Sequence, residues 1–149
     1  MHMRREIDRY FTEYLTSIEK TKDYISDDNK IVIELDNETI ENIINNEKNT
    51  FISSIYSYDS FFKTMPSENA YTVLTNKRKP KCIIKTLKVE TIKFEDITED
   101  NINLENNYLS IDEWKQKHIG IFEEECREAF RVFNPNVPIV IETFELVYI

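Results

Sequence analysis

The sequence predicts an α+β fold: one domain of about five or six strands and three helices. Three observations carry that expectation. Apolar side chains recur at helical spacing near the start, several β-branched runs are bounded by Asn, Asp and Pro, and a capping signature at Ser110 opens a long helix before a last apolar run.

Taken in order, Ile7, Tyr10, Phe11, Tyr14, Leu15 and Ile18 fall on one helix face from about residue 4 to 21, with Arg, Glu and Lys on the other. Asp27-Asp28-Asn29 breaks the pattern, and Ile31-Val32-Ile33-Glu34-Leu35 reads as a strand. Asp36 suits an N-cap, followed by a short helix with Ile40, Ile43 and Ile44 as its stripe and Asn45-Asn46 as its end. The aromatic and β-branched stretch from Thr50 to Tyr58 predicts a strand, and Met65-Pro66-Ser67 a loop. Tyr71-Thr72-Val73-Leu74 and Cys82-Ile83-Ile84 flank a polar basic stretch, Asn76 to Pro80, as antiparallel strands would around an exposed loop. The second of them extends through Phe94 by alternation.

Residues 96–109 are acidic and Asn-rich, a loop with room for one helical turn. Ser110 and Glu113 form an S-x-x-E capping box, and Ile111, Trp114, His118, Ile121, Phe122 and Ala129 mark the inner face of a helix reaching about residue 131. Gly120, the single glycine, sits inside it, and a close packing contact would explain its presence. Asn134-Pro135-Asn136 stops the helix, and Pro138 to Tyr148 forms a closing strand with Val140, Phe144 and Leu146 as apolar positions.

The chain of 149 residues is 40% hydrophobic with nine Phe and eight Tyr, enough to bury a core without disulfides or metal. Cys82 and Cys126 read as small core side chains rather than a disulfide framework. No apolar run approaches a membrane span and no apolar leader core opens the chain, so the expectation is a soluble, cytoplasmic protein with no membrane partner. The net charge of −9 opposes nonspecific phosphate binding over the whole surface. Any anion recognition must be local, and Lys77, Arg78, Lys79, Lys81, Lys85 and Lys88 form one stretch without an acid.

One glycine rules out a glycine-rich phosphate loop. A nucleophile elbow, a zinc-type His/Cys cluster and an HExxH pair are missing, so neither metal nor cofactor is expected. Lys48 at a strand entry can present its ammonium to a carbonyl or phosphate, or simply be solvated. Glu34, Glu90 and Glu142 lie in strand-like runs; Glu142, beside Ile141 and near Phe144, is the one expected to be partly buried. Trp114 and His118 share a helix face, either as a platform with a titrating imidazole for an anionic or nucleobase ligand, or as core. The basic stretch either faces a ligand or shields sheet edges.

Two groups of residues carry a resemblance. Ser110-Ile111-Asp112-Glu113-Trp114, His118, Ile121-Phe122-Glu123 and the strand Pro138 to Tyr148 with Glu142 and Phe144 form one; Tyr71 to Phe94, with Pro80 before Cys82-Ile83-Ile84, forms the other. In this order they resemble the ASCH domain, a family related in fold to the PUA domain. The resemblance implies a PUA-like mixed β-barrel with surrounding helices over residues 36–149, an N-terminal helix and strand extension over 1–35, and a cleft at the barrel mouth.

It further implies binding of RNA, a nucleotide or a modified nucleobase, with Lys48, Thr50, Ser53, Trp114, His118 and Glu142 as ligand-binding candidates and Lys77, Arg78, Lys79 and Lys81 steering an anionic ligand. The family's Gly-x-Lys-Thr element falls on Asn46-Glu47-Lys48-Asn49, which keeps the lysine, and Asn46 tolerates the positive φ that glycine would adopt. An alternative is a nucleoside amidohydrolase deacylating N4-acylated cytidine, with Lys48 and Glu105 catalytic and Thr50 replacing the missing threonine. A third reading is a protein-interaction domain whose acidic surface meets a basic partner.

Overall fold

A computed structural model describes residues 2–18, 30–60, 64–102 and 110–149. In chain order the elements are α1 (His2–Ser17), β1 (Lys30–Glu34), α2 (Asn37–Ile44), β2 (Thr50–Ser54), α3 (Ser57–Ser60), β3 (Tyr71–Asn76), β4 (Lys79–Lys93), α4 (Ile111–Glu128) and β5 (Pro138–Tyr148), with a 3-10 turn at Phe94–Asp96. The five strands make one mixed sheet in the order β1-β3-β4-β5-β2. The sheet ends at β1 and β2 and is not closed, which corrects the expected barrel and with it a cleft at a barrel mouth. Closure would require β1 and β2 to pair, a long-range match that strand patterning does not encode.

The chain divides into two compact units, one of residues 1–50, 66–88 and 143–149, the other of residues 51–65 and 89–142. In the first, β1 pairs in parallel with β3 from Lys30↔Tyr71 to Glu34↔Thr75. The antiparallel β3–β4 hairpin is tighter than its sequence predicts: Asn76 pairs with Lys79, and Lys77 and Arg78 alone form the turn, with φ of 51° and 66°. Helix α1 lays Ile7, Phe11, Tyr14 and Leu15 against Tyr71, Val73 and Ile83. Lys30 enters this core with its ammonium 2.7 Å from Asp8 Oδ1 and 5.5 Å from the Phe11 ring centre. Asp36 caps α2 as expected, its carboxylate accepting from Thr39 N at 3.1 Å and Thr39 Oγ1 at 2.6 Å.

In the second unit α4 carries the core. Ser110 Oγ accepts from Glu113 N at 3.2 Å, the expected cap, and Trp114, Phe122 and Cys126 pack with Phe94, Ile97, Ile102, Val137, Ile139 and Ile141. Three local expectations change here. The strand predicted through Tyr58 ends at Ser54 and the chain turns into α3, because Ser57 Oγ bonds back to Ser54 O at 2.9 Å and supplies the turn a partner that competes with the sheet. Ile121 faces outward at 52% exposure, while Glu125, four residues on, is buried in its place. Gly120 has nothing within 4 Å of the position a Cβ would take, so no close approach explains it.

Both cysteines are free and buried, as the sequence suggests. No helix among the described residues is long and apolar enough to cross a membrane.

Candidate functional site

The C-terminus of α2 builds the site in the first unit. Asn46 takes a φ of 61°, the left-handed conformation expected of the residue standing where the family motif has glycine. That turn lets Glu47 N and Lys48 N donate to the same Asn42 carbonyl, at 2.8 and 3.1 Å. On the other side of Lys48, the carbonyl of Asn49 accepts from Phe144 N at 3.0 Å. Lys48 is therefore held between a peptide anchored on α2 and one anchored on β5. A side chain rooted this way loses little further backbone freedom on meeting a ligand.

Lys48 lines a recess of about 400 Å³ with Asn46, Asn49, Thr143 and Glu145 as its polar members and Ile43, Leu87, Phe144 and Leu146 as its apolar ones. Burial draws the Lys48 ammonium below the ordinary lysine range, because removing water penalises the charged form. The recess thus combines one amine, one carboxylate and two side-chain amides with an apolar surface. That arrangement can bracket a planar polar molecule and hydrogen-bond its edge. Thr50 begins β2 and is half-buried.

The second unit gathers a different polar group. Ser53 and Glu142 are buried at 6% exposure, and Ser53 Oγ donates to the Tyr58 hydroxyl oxygen at 3.4 Å. Burial raises the Tyr58 hydroxyl, the bond from Ser53 opposes that shift, and the Glu142 and Glu125 carboxylates add to the rise. Glu125 accepts from Ser54 N at 2.7 Å and so ties the end of β2 to α4. The Ser54 hydroxyl is itself buried without a hydrogen-bond partner.

Trp114 is a core residue. His118 stacks on it, with centroids 4.2 Å apart and planes at 16°, and its Nδ1 lies 2.9 Å from the Trp114 carbonyl oxygen. Since a carbonyl only accepts, that nitrogen carries the proton and the imidazole is oriented from within its own helix. Lys77, Arg78, Lys79 and Lys81 are all exposed. Glu105 lies outside the described residues.

The sequence singled out Lys48, Ser53 and Glu142 as candidates; the recess around Lys48 also takes in Thr143 and Glu145, and Tyr58 and Glu125 lie with Ser53 and Glu142, four residues the sequence did not mark as candidates. Strand alternation was the available signal for Thr143 and Glu145, two apart on β5. For Glu125 there was one as well: it lies three residues after Phe122 on α4, on the apolar side. Among the described residues no group of three His, Cys, Asp or Glu side chains is placed to hold a metal ion.

An open mixed sheet packed with helices, with a lysine-lined recess beside the loop after its second helix, defines a small α+β class of domain. Residues 24–148 match the ASCH domain model, and the chain belongs to the ASCH domain family. An ASCH domain from Lactobacillus crispatus JV V101 has a similar crystal structure, with 24% identity, TM-score 0.75, and 100% of this chain and 96% of that one covered. Protein EF3133 from Enterococcus faecalis V583 is similar at 21% identity and TM-score 0.76, over 97% of this chain and 89% of that one. The hypothetical protein PH0355 is similar at 19% identity and TM-score 0.52, over 79% and 99%. Likeness at these identities carries the fold alone. No curated protein matches the chain.

Proposed function

We propose that this ASCH domain binds a nucleotide or a modified nucleobase in the Lys48 recess. The observation that supports it is the anchoring of Lys48 between Asn42 and Phe144, at the wall of a cavity of about 400 Å³. Small-molecule sites run from roughly 300 to 1,000 Å³, so this one suits a single nucleoside unit rather than a length of polymer. The net charge of −9 argues the same way, because an extended RNA backbone would be repelled by most of the surface. In this reading Lys48 contacts a phosphate or carbonyl oxygen. Asn46 and Asn49 meet the hydrogen-bonding edge of the base, and Ile43, Leu87 and Leu146 cover its face.

The test is direct titration of wild-type protein and Lys48→Ala with a panel of pyrimidine and purine nucleosides and their monophosphates. A hydrogen bond from a charged donor contributes about 1.5–3 kcal/mol, so the variant should bind roughly 10- to 150-fold more weakly. Its thermal stability should be nearly unchanged, since the ammonium already carries a desolvation cost in the fold. Equal affinity of the two proteins removes Lys48 from the site; no binding by wild type to any member of the panel removes the proposal.

A second reading, deacylation of N4-acylated cytidine, is favoured by one observation: burial lowers the pKa of Lys48 and brings its amine closer to acting as a base. Release of free cytidine by pure protein, lost in Lys48→Ala, would establish turnover. Binding without release leaves the domain a binder.

A further inference from the structure

The β3–β4 turn holds an arrangement that neither the recess nor hairpin formation requires. Lys77 N and Arg78 N both point at one side chain, the carboxylate of Glu34 at the end of β1, at 2.8 Å to Oε2 and 3.1 Å to Oε1. Thr75 Oγ1 donates to the same Oε1 at 2.7 Å. Three donors thus converge on two oxygens, as they would on the oxygens of a bound oxyanion.

The residues at the turn are themselves unexpected. A two-residue turn with both φ positive favours Asn-Gly or Gly-Gly, yet here lysine and arginine occupy it, at 51° and 66°. Backbone strain kept at two long cationic side chains marks a place where those side chains serve a purpose beyond the turn. With Lys79 and Lys81 they make an exposed cationic cluster in a chain whose net charge is −9. Glu34 comes to it from an edge strand of five residues and is itself exposed.

We propose that the Lys77–Arg78 turn is a phosphate-binding site that Glu34 occupies in cis. The carboxylate mimics the ligand, and an incoming phosphate group takes over the two amide donors and the Thr75 hydroxyl while the four basic side chains neutralise its charge. This site uses none of the recess residues, so it stands or falls apart from the Lys48 reading.

Phosphate is titrated into isotope-labelled wild type, E34A and E34Q while the amide resonances of Lys77 and Arg78 are followed. If Glu34 fills the site about nine-tenths of the time, removing it strengthens apparent phosphate affinity by about tenfold. Saturable shifts of both amides in E34A, about tenfold tighter than in wild type, are the expected result. E34Q keeps an acceptor for Thr75 and removes the charge. It should move the same way by a smaller factor, and it decides the matter if E34A does not fold. Folded variants whose two amides ignore phosphate, or that bind it no better than wild type, overturn the proposal. A parallel titration with a ten-nucleotide oligouridylate separates the sources of the phosphate: tighter binding than inorganic phosphate assigns the site to a nucleic-acid backbone, weaker binding to a free phosphate.

Discussion

Replacing Gly120 by alanine should stabilise the protein, and the size of the gain follows from the structure. Gly120 lies in the interior of α4, is exposed, and has a non-positive φ, so alanine needs no backbone adjustment. The new Cβ meets nothing within 4 Å, so neither a clash nor a packing gain enters. What remains is the difference in helix propensity, about 0.8–1 kcal/mol, most of it the lost freedom of the unfolded glycine. At about 2.1 cal/mol/K of unfolding entropy per residue, a chain of 149 residues has about 0.3 kcal/mol/K in total, so the midpoint should rise by about 3 °C. Differential scanning calorimetry and urea titration of both proteins check it, with the denaturant slope expected to stay constant. An unchanged or lower midpoint would refute the account of α4 as a helix whose Gly120 face is open.

Three further outcomes are expected. Phe130, just past α4, is 98% exposed with a φ of 59°, so Phe130→Gly relieves a left-handed phenylalanine without removing packing and should add about 1 kcal/mol in the same melts. The Lys30 side chain is 2% exposed and Asp8 36%, so Asp8→Ala, which takes this carboxylate from a buried ammonium, should cost toward the lower end of roughly 3–5 kcal/mol. Lys30→Met, which removes the buried charge and keeps the bulk, should cost much less, and the reverse order in urea titrations would contradict the pairing. Burial pushes the Cys82 thiol up to about 11 from an ordinary value of 9.0. Between those values the unfolded chain loses its proton first, so stability is full below pH 9 and declines as pH rises, by up to about 3 kcal/mol. Cys82→Ala should remove that part of the alkaline slope, and an identical slope in both proteins would show the thiol to be uninvolved.

Local rules were enough for much of the molecule. The cap at Asp36 with its bonds to Thr39, the cap at Ser110 and the stripe of α1 from Ile7 to Leu15 depend on residues a few positions apart and appear as read, whereas the alternation expected of β4 fails where Thr86 is fully buried and Leu87 beside it is 45% exposed. The positive φ of Asn46 belongs in the same group, since a short polar side chain tolerates that backbone in any setting. Burial of Glu142 was legible because its neighbours on β5 are apolar.

What the chain order could not decide is everything that depends on which distant segments meet. Whether the sheet closes is set by its two edge strands, and here β1 and β2 end it. The bond from Ser54 N to Glu125 joins residues 71 apart, and the clasp of Glu34 on the Lys77–Arg78 turn joins residues 43 and 44 apart. A carboxylate reads alike in sequence whether it faces water, caps a strand end or fills a turn. Propensity and periodicity act over one or two turns of backbone, so the sequence alone determined most of the elements, though not the helix after β2, and singled out Lys48 as a candidate. The tertiary structure determined which side chains surround that lysine and which anion the basic turn already holds, because only folding sets the distances over which charge and hydrogen bonding act.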